Sequence, residues 1–197
     1  MSSTRDTTRT TLEEGGTSLG IELGSTRIKA VLVDAEGRIL ATGSHTWSDR
    51  LEDGHWTYPI ADVATGLAAA YASLASECRR SFGVVPTRIG AIGVSAMMHG
   101  YLAFDASGEL LVPFRTWRNS TTGAAAELLG TTIGRSMPLR WSASHLLQVV
   151  LDREEHLARL ARITTLAGYA HELLGGAAVL GADDASGMFP LVADGTA

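Results

Sequence analysis

Between residues 22 and 29 the chain reads ELGSTRIK, and five of those positions could do chemistry together. Gly24 lets another group approach the backbone closely, Ser25 and Thr26 add short hydroxyls, Glu22 offers a carboxylate and Lys29 a cation. Such a set suits an anion of the phosphate type. The dinucleotide form of that chemistry needs G-x-G-x-x-G and then a helix whose N-terminus receives the pyrophosphate. Gly20 and Gly24 lack that spacing, and the following IKAVLVD is too rich in β-branched residues to start a helix. A turn between two strands is the other geometry, in which successive N–H groups of Gly24, Ser25 and Thr26 form an anion-binding concavity without a helix. There Glu22 would face a Mg2+ carried by ATP, as an oxygen ligand acting through water. The same residues equally describe an ordinary hairpin with an exposed glutamate and lysine, so the remainder of the chain must decide.

The elements that would hold this turn are legible as short β-rich runs, LGIEL, IKAVLVD and RILATGSHTW, separated by GST and DAEG. They predict three antiparallel strands. A polar loop containing DGHWTYPI follows, with Trp56 and Tyr58 covering core edges. Val63, Leu67, Ala70, Tyr71, Leu74 and Cys78 then fall at helical intervals, predicting a helix over 61–80. TRIGAIGVSA reads as a buried strand, YLAFDASGELL as a strand with an Asp-Ala-Ser-Gly turn, and FRTW as a short third. Helical spacing returns over 122–129, 144–151, 154–162 and 166–174, with Gly130 and Gly175 as stops, and AAVLGADDASGMFPL reads as a loop with a short strand. Strands, helix, strands and then helices predict an α/β fold with a mixed sheet opened by an antiparallel hairpin and flanked by helices.

The chain has 197 residues, 45% hydrophobic and 19% charged, enough for one main domain. Its net charge of −5 is spread without a basic cluster, which argues against nucleic acid or an anionic membrane surface as a partner. Residues 1–16 are polar and Thr-rich and predict a disordered tail, leaving 17–197 as the folded part. No stretch has the length of a membrane span or the centre of a secretory signal, and the single Cys78 on an apolar helix face reads as a buried structural thiol, so a cytoplasmic location is expected. His145 and His156, the nearest pair among His55, His145, His156 and His171, stand eleven apart with no Cys partner, so no metal cage is expected. Asp183 and Asp184 form an acidic pair in a loop that could touch a substrate or cap the next segment, and capping is the favoured reading.

GIELGSTRIKAVLVDAEGRIL resembles the opening of the FGGY family of carbohydrate kinases, in particular its xylulokinase-like members. Three further segments match in order: IGAIGVSAMMHGYLAFDASGELLVPFRTW, HLLQVVLDREEHLARLARITTLAGYAHELLGG and GADDASGMF. The resemblance implies an actin-like ATPase (ribonuclease H-like) fold, with 17–197 as an incomplete amino-terminal lobe. It also implies ATP-dependent phosphorylation, with Mg2+, of a sugar or polyol hydroxyl, a ketose such as xylulose above all. Glu22, Gly24, Ser25, Thr26 and Lys29 match the nucleotide-phosphate side, with Glu22 as the water-bridged metal ligand. Met98, His99, Trp117 and Asn119 match the sugar side. The family's catalytic aspartate and most of its adenosine site fall beyond Ala197, so the chain alone is expected to be inactive, and the full-length protein has room for a homodimer.

Departures from the family pattern bear on the acceptor. Glutamate stands at 22 for aspartate, Met97 for glutamine, and Trp117-Arg118-Asn119-Ser120-Thr121 for Trp-x-Asp-x-Arg. Asn119 can still donate to and accept from hydroxyls, and Arg115 or Arg118 could restore the missing charge. Two alternatives therefore stand beside the kinase: a non-catalytic sugar-binding or scaffold protein of the same fold, and another actin-like ATPase of the chaperone or filament kind.

Overall fold

A computed structural model of the protein describes residues 2–189. Along the chain the elements run α1 (Ser2–Glu14), β1 (Ser18–Leu23), β2 (Arg27–Val33), β3 (Ile39–Thr46), β4 (Arg50–Glu52), β5 (His55–Thr57) and α2 (Ile60–Phe82). They continue with β6 (Ala91–Ala96), β7 (Leu102–Phe104), α3 (Gly123–Ile133), α4 (Ser142–Asp152), β8 (Arg162–Thr164), α5 (Leu166–Leu173) and α6 (Ala182–Ser186). They form two compact units, one from Met1–Ser48 with Ala61–Ala96, the other from Asp49–Ile60 with Met97–Ala197.

The first unit is built on a four-stranded sheet in the order β3-β2-β1-β6. β1 and β3 pair antiparallel with β2, and β6 pairs parallel with β1, which makes the sheet mixed as the sequence predicts. Period-two alternation decides what each face does: Leu19, Ile21, Leu23, Ile28, Ala30, Leu32 and Ala41 are buried, while Ser18, Gly20, Glu22 and Lys29 are exposed. From α2 the buried residues are Val63, Gly66, Leu67, Ala70, Leu74 and Cys78, the predicted stripe with Gly66 added and less the half-buried Tyr71. The helix comes so close at Gly43 that a Cβ there would sit 2.2 Å from the Ala70 carbonyl oxygen. Glu77 of α2 also accepts the outward N–H of Thr42 at 2.8 Å, covering part of the β3 edge.

Two expectations for this unit give way. Residues 2–14 form a helix rather than a disordered tail. Leu12 is fully buried, Arg9 pairs with Glu13 one turn on, and the Gly16 N–H reaches back to the Thr11 carbonyl past Gly15 at φ 80°. That is a Schellman stop, and one buried leucine anchors an otherwise polar helix. β6, expected to be buried, is mostly exposed, with Ile92 at 47%, because it lies at the edge of the sheet.

In the second unit the expected loop around DGHWTYPI contains the β4–β5 hairpin, in which Leu51 pairs with Trp56. Asp53 and Gly54 both have positive φ (47° and 77°), the type I′ geometry that an Asp-Gly pair favours. β7 pairs antiparallel with β8, and FRTW contributes one bridge, Tyr101 to Arg115, instead of a strand. α3 passes through Gly130 and stops at Gly134, whose φ of 73° and N–H bond to the Gly130 carbonyl make it the cap. The predicted helix over 154–162 resolves into a 3-10 turn (Glu155–Arg159) and the start of β8, while Gly175 ends α5 region as expected, at φ 89°. Asp183 and Asp184 fall in the first turn of the short α6, where a loop was expected; Pro190 and Leu191 of that segment lie outside the described residues. Tyr101, Ala103 and Val149 form a buried cluster packed by Leu146, Leu157 and Ile163. Among the described residues no helix is long and apolar enough to cross a membrane.

Candidate functional site

The turn at 24–26 is the hairpin between β1 and β2. Its backbone is fastened by the Gly24 N–H to the Arg27 carbonyl (2.9 Å) and by the Trp47 indole N–H to the Gly24 carbonyl (2.7 Å). Trp47 also donates its backbone N–H to the Thr26 carbonyl at 3.2 Å. Because the Gly24 N–H is used inside the turn, the expected concavity of three successive amides is reduced to the exposed tip, Ser25 and Thr26. Gly24 keeps a steric role, since a Cβ there would lie 3.2 Å from the Arg27 oxygen.

Glu22 and Lys29 are direct cross-strand partners, and Lys29 Nζ donates to Glu22 Oε2 at 2.9 Å. Side chains at both positions are about half exposed, so this pair is an orienting contact more than a stabilising one. It leaves Glu22 Oε1 as a hard oxygen on the face behind the turn. Among the described residues no three His, Cys, Asp or Glu side chains cluster to hold a metal.

Met98 and His99 occupy the loop after β6 in the second unit. His99 takes the left-handed conformation (φ 67°), and Gly100 follows at φ 95°. A Cβ at Gly100 would meet the Arg115 carbonyl at 2.6 Å, so the loop can press against that strand only with glycine there. Its N–H donates to the Arg140 carbonyl (3.2 Å), its carbonyl accepts the Ser142 hydroxyl (2.5 Å), and Ala143 N–H donates to the Met188 carbonyl (2.9 Å). These bonds tie the loop to the start of α4 and to the turn after α6.

The same framework sets the imidazole. His99 Nδ1 lies 3.2 Å from the Gly187 carbonyl, an acceptor only, so Nδ1 carries the hydrogen and, in the neutral tautomer, Nε2 carries the lone pair. Trp141 stands beside the ring, centroids 6.1 Å apart. Met98 is 65% exposed and Trp117 37%, and the Arg140 guanidinium carbon is 5.8 Å from the centre of the Trp117 ring. Met98 and Trp117 are thus exposed, and His99 is half-buried. Arg140, Trp141 and Gly187 were missed in the sequence because nothing in their local pattern marks them; only the fold brings them beside His99.

Asn119 has another task. It is buried, its amide donates to the Trp56 and Thr116 carbonyls (2.8 and 3.0 Å), and its Oδ1 accepts the Trp56 N–H (2.8 Å). With every amide group engaged it pins β5, so the expectation of a hydroxyl contact is corrected. Neither arginine offered as a replacement charge is available. Arg118 pairs with Asp49 and stacks over Trp56 at 3.7 Å, and the buried Arg115 makes a two-pronged pair with Glu154.

Around Arg115 lies a buried polar group of a different kind. Its hydrogen bonds hold the Glu154 carboxyl below the usual range. The Tyr101 hydroxyl meets His156 Nε2 at 3.0 Å, and burial pushes that phenol up to about 12. His145 is fully buried with neither ring nitrogen hydrogen-bonded among the described residues, and burial, reinforced by Arg115, pulls it down to about 4.

This arrangement of elements is similar to that of solved structures. The xylulose kinase from Rhodospirillum rubrum superposes with a TM-score of 0.77 at 21% identity, over 91% of this chain and 39% of that one. The glycerol kinase from Plasmodium falciparum, solved with ADP, gives 0.70 at 13% identity, over 90% and 38%. The fold is therefore that of the actin-like ATPases. Residues 17–140 match the N-terminal domain of the FGGY family of carbohydrate kinases, and the chain belongs to that family. A curated relative, the xylulose kinase of Klebsiella pneumoniae, is 25% identical over 129 residues, 60% of this chain and 23% of its own length. The chain thus spans about a quarter of that relative.

Proposed function

We propose that this chain is the sugar-binding, amino-terminal portion of a kinase that transfers the terminal phosphoryl group of ATP to a hydroxyl of a sugar or polyol, with a ketose such as xylulose as the first acceptor to test. The observation that carries the proposal is that one family match, 17–140, takes in both the turn at 24–26 and the loop at His99.

Phosphoryl transfer rests mainly on positioning and charge stabilisation. In this reading Ser25 and Thr26 receive phosphate oxygens at the tip of the turn, and Lys29 offers positive charge beside them. Glu22 orients Lys29 and would hold, through water, a Mg2+ that would neutralise phosphate charge. On the acceptor side Trp117 and Met98 supply apolar walls, and His99 Nε2 accepts a hydroxyl hydrogen bond. In this reading a second lobe supplies the base that takes the hydroxyl proton and the adenosine site.

Coupled measurement of ATP consumption tests this across ketoses and polyols. The chain alone is expected to show no sugar-dependent turnover, and the chain joined to a second lobe is expected to show it. Absence of sugar-dependent consumption in the joined protein, with every acceptor tried, ends the proposal. The mutual engagement of Glu22 and Lys29 favours a second reading, sugar binding without turnover. Calorimetry separates the two, because a sensor binds sugar with the same affinity whether Mg-ATP is present or absent and consumes none.

A further inference from the structure

The guanidinium of Arg140 lies near Trp117, its backbone carbonyl is bound by the Gly100 N–H, and among the described residues it makes no ion pair. Arg115 is spent on Glu154 and Arg118 on Asp49, whereas among the described residues no carboxylate lies within ion-pair distance of Arg140. In the short α6 near Gly187, Asp184 accepts the Thr165 hydroxyl. The backbone of Arg140 is fixed by the Gly100 N–H, one residue from His99, and its side chain is exposed. Its guanidinium carbon, 5.8 Å from the Trp117 ring centre, is at the outer limit of a cation–π contact. The ring therefore steers the guanidinium without consuming its N–H groups. Asn119, an uncharged residue, is fully engaged in holding β5, so no anion from that loop faces the arginine.

A guanidinium has five donors, no acceptor and a permanent charge. A neutral sugar presents hydroxyls, which satisfy such a group poorly. A carboxylate satisfies it with two parallel charge-assisted bonds. We infer that Arg140 is a specificity-determining residue and that the acceptor it selects is an anionic sugar of the aldonate class, its carboxylate on Arg140 and its carbon chain between Trp117 and His99. The inference rests on the sugar-site reading above, and it makes the neutral ketose the weaker acceptor.

D-Xylonate and xylitol form the matched probe pair, since they differ only in a carboxylate against a hydroxymethyl group. Calorimetric titration of the whole chain is expected to give xylonate about 10- to 100-fold tighter binding than xylitol, the range of a charge-assisted pair. Arg140→Met is expected to remove that preference by weakening xylonate binding far more than xylitol binding, Arg140→Lys to keep part of it, and Arg135→Met, which removes an exposed charge elsewhere, to change nothing. Because Arg140 is exposed, an unchanged Tm should accompany all three variants. Equal affinity for the two probes, or a preference that survives Arg140→Met, overturns the inference. If xylitol still binds and His99→Ala abolishes that binding, the sugar site stands while the inference falls. If neither probe binds at all, both fall together.

Discussion

Glu154→Ala should destabilise the second unit by about 3–5 kcal/mol, the range found when one partner of a buried ion pair is removed. Arg115 is only 5% exposed and its guanidinium is held by both oxygens of Glu154. Without that carboxylate the buried charge is left unpaired beside His55, His145 and His156, which burial holds toward the neutral form and which offer it no countercharge. The pair also joins the Tyr101–Arg115 bridge to the segment before β8, so its loss loosens the backbone behind Gly100. Urea unfolding at pH 7, read from near-ultraviolet dichroism, measures the change. A loss below about 1 kcal/mol would mean that the pair is solvated and carries no structural weight.

The second large effect is with acid. His145 is buried as the neutral imidazole, at about 4 against its ordinary 6.5, burial being the main cause and Arg115 the next. In the unfolded chain it takes a proton as pH falls through 6.5, and in the folded chain it does so only near 4. The unfolded state therefore binds more protons throughout that window, and stability falls as pH falls. The difference corresponds to about 3 kcal/mol, lost between pH 6.5 and 4 and constant above and below. His55 and His156, both lowered first by burial, add in the same direction. His145→Leu should flatten much of this decline. At pH 7 it should also raise stability by about 1 kcal/mol, because it removes a buried polar ring with no partner among the described residues. A wild-type stability that stays level from pH 7 to 4.5 would contradict the account.

What could be read in the sequence was set by how local its cause is. The opening hairpins declare themselves because GST and DAEG sit between runs that alternate with period two, and α2 does so through its apolar stripe. The β4–β5 hairpin was equally local, an Asp-Gly pair, but its flanks are too polar to look like strands. α1 depends on Leu12 finding a place in the unit, which no window of Thr-rich sequence reveals. Gly130 and Gly134 are both plausible stops, and only the achieved φ of 73° distinguishes them. At the candidate site the turn and His99 could be located from their motifs, whereas the structural role of Asn119 follows from a partner 63 positions away. Arg140 and Trp141 likewise reach the site through the bond between Gly100 and α4's approach, a tertiary contact without a sequence signature.

The claim on which the rest hangs is that a polyhydroxy ligand binds at His99. Amide chemical-shift mapping of the labelled chain, during titration with xylitol and then D-xylonate, examines it residue by residue. The account predicts saturable shifts concentrated at Met98–Gly100, Trp117, Arg140–Trp141 and Gly187, with little change along β3. Shifts that never saturate, or that gather elsewhere in the chain while this set stays still, would contradict it.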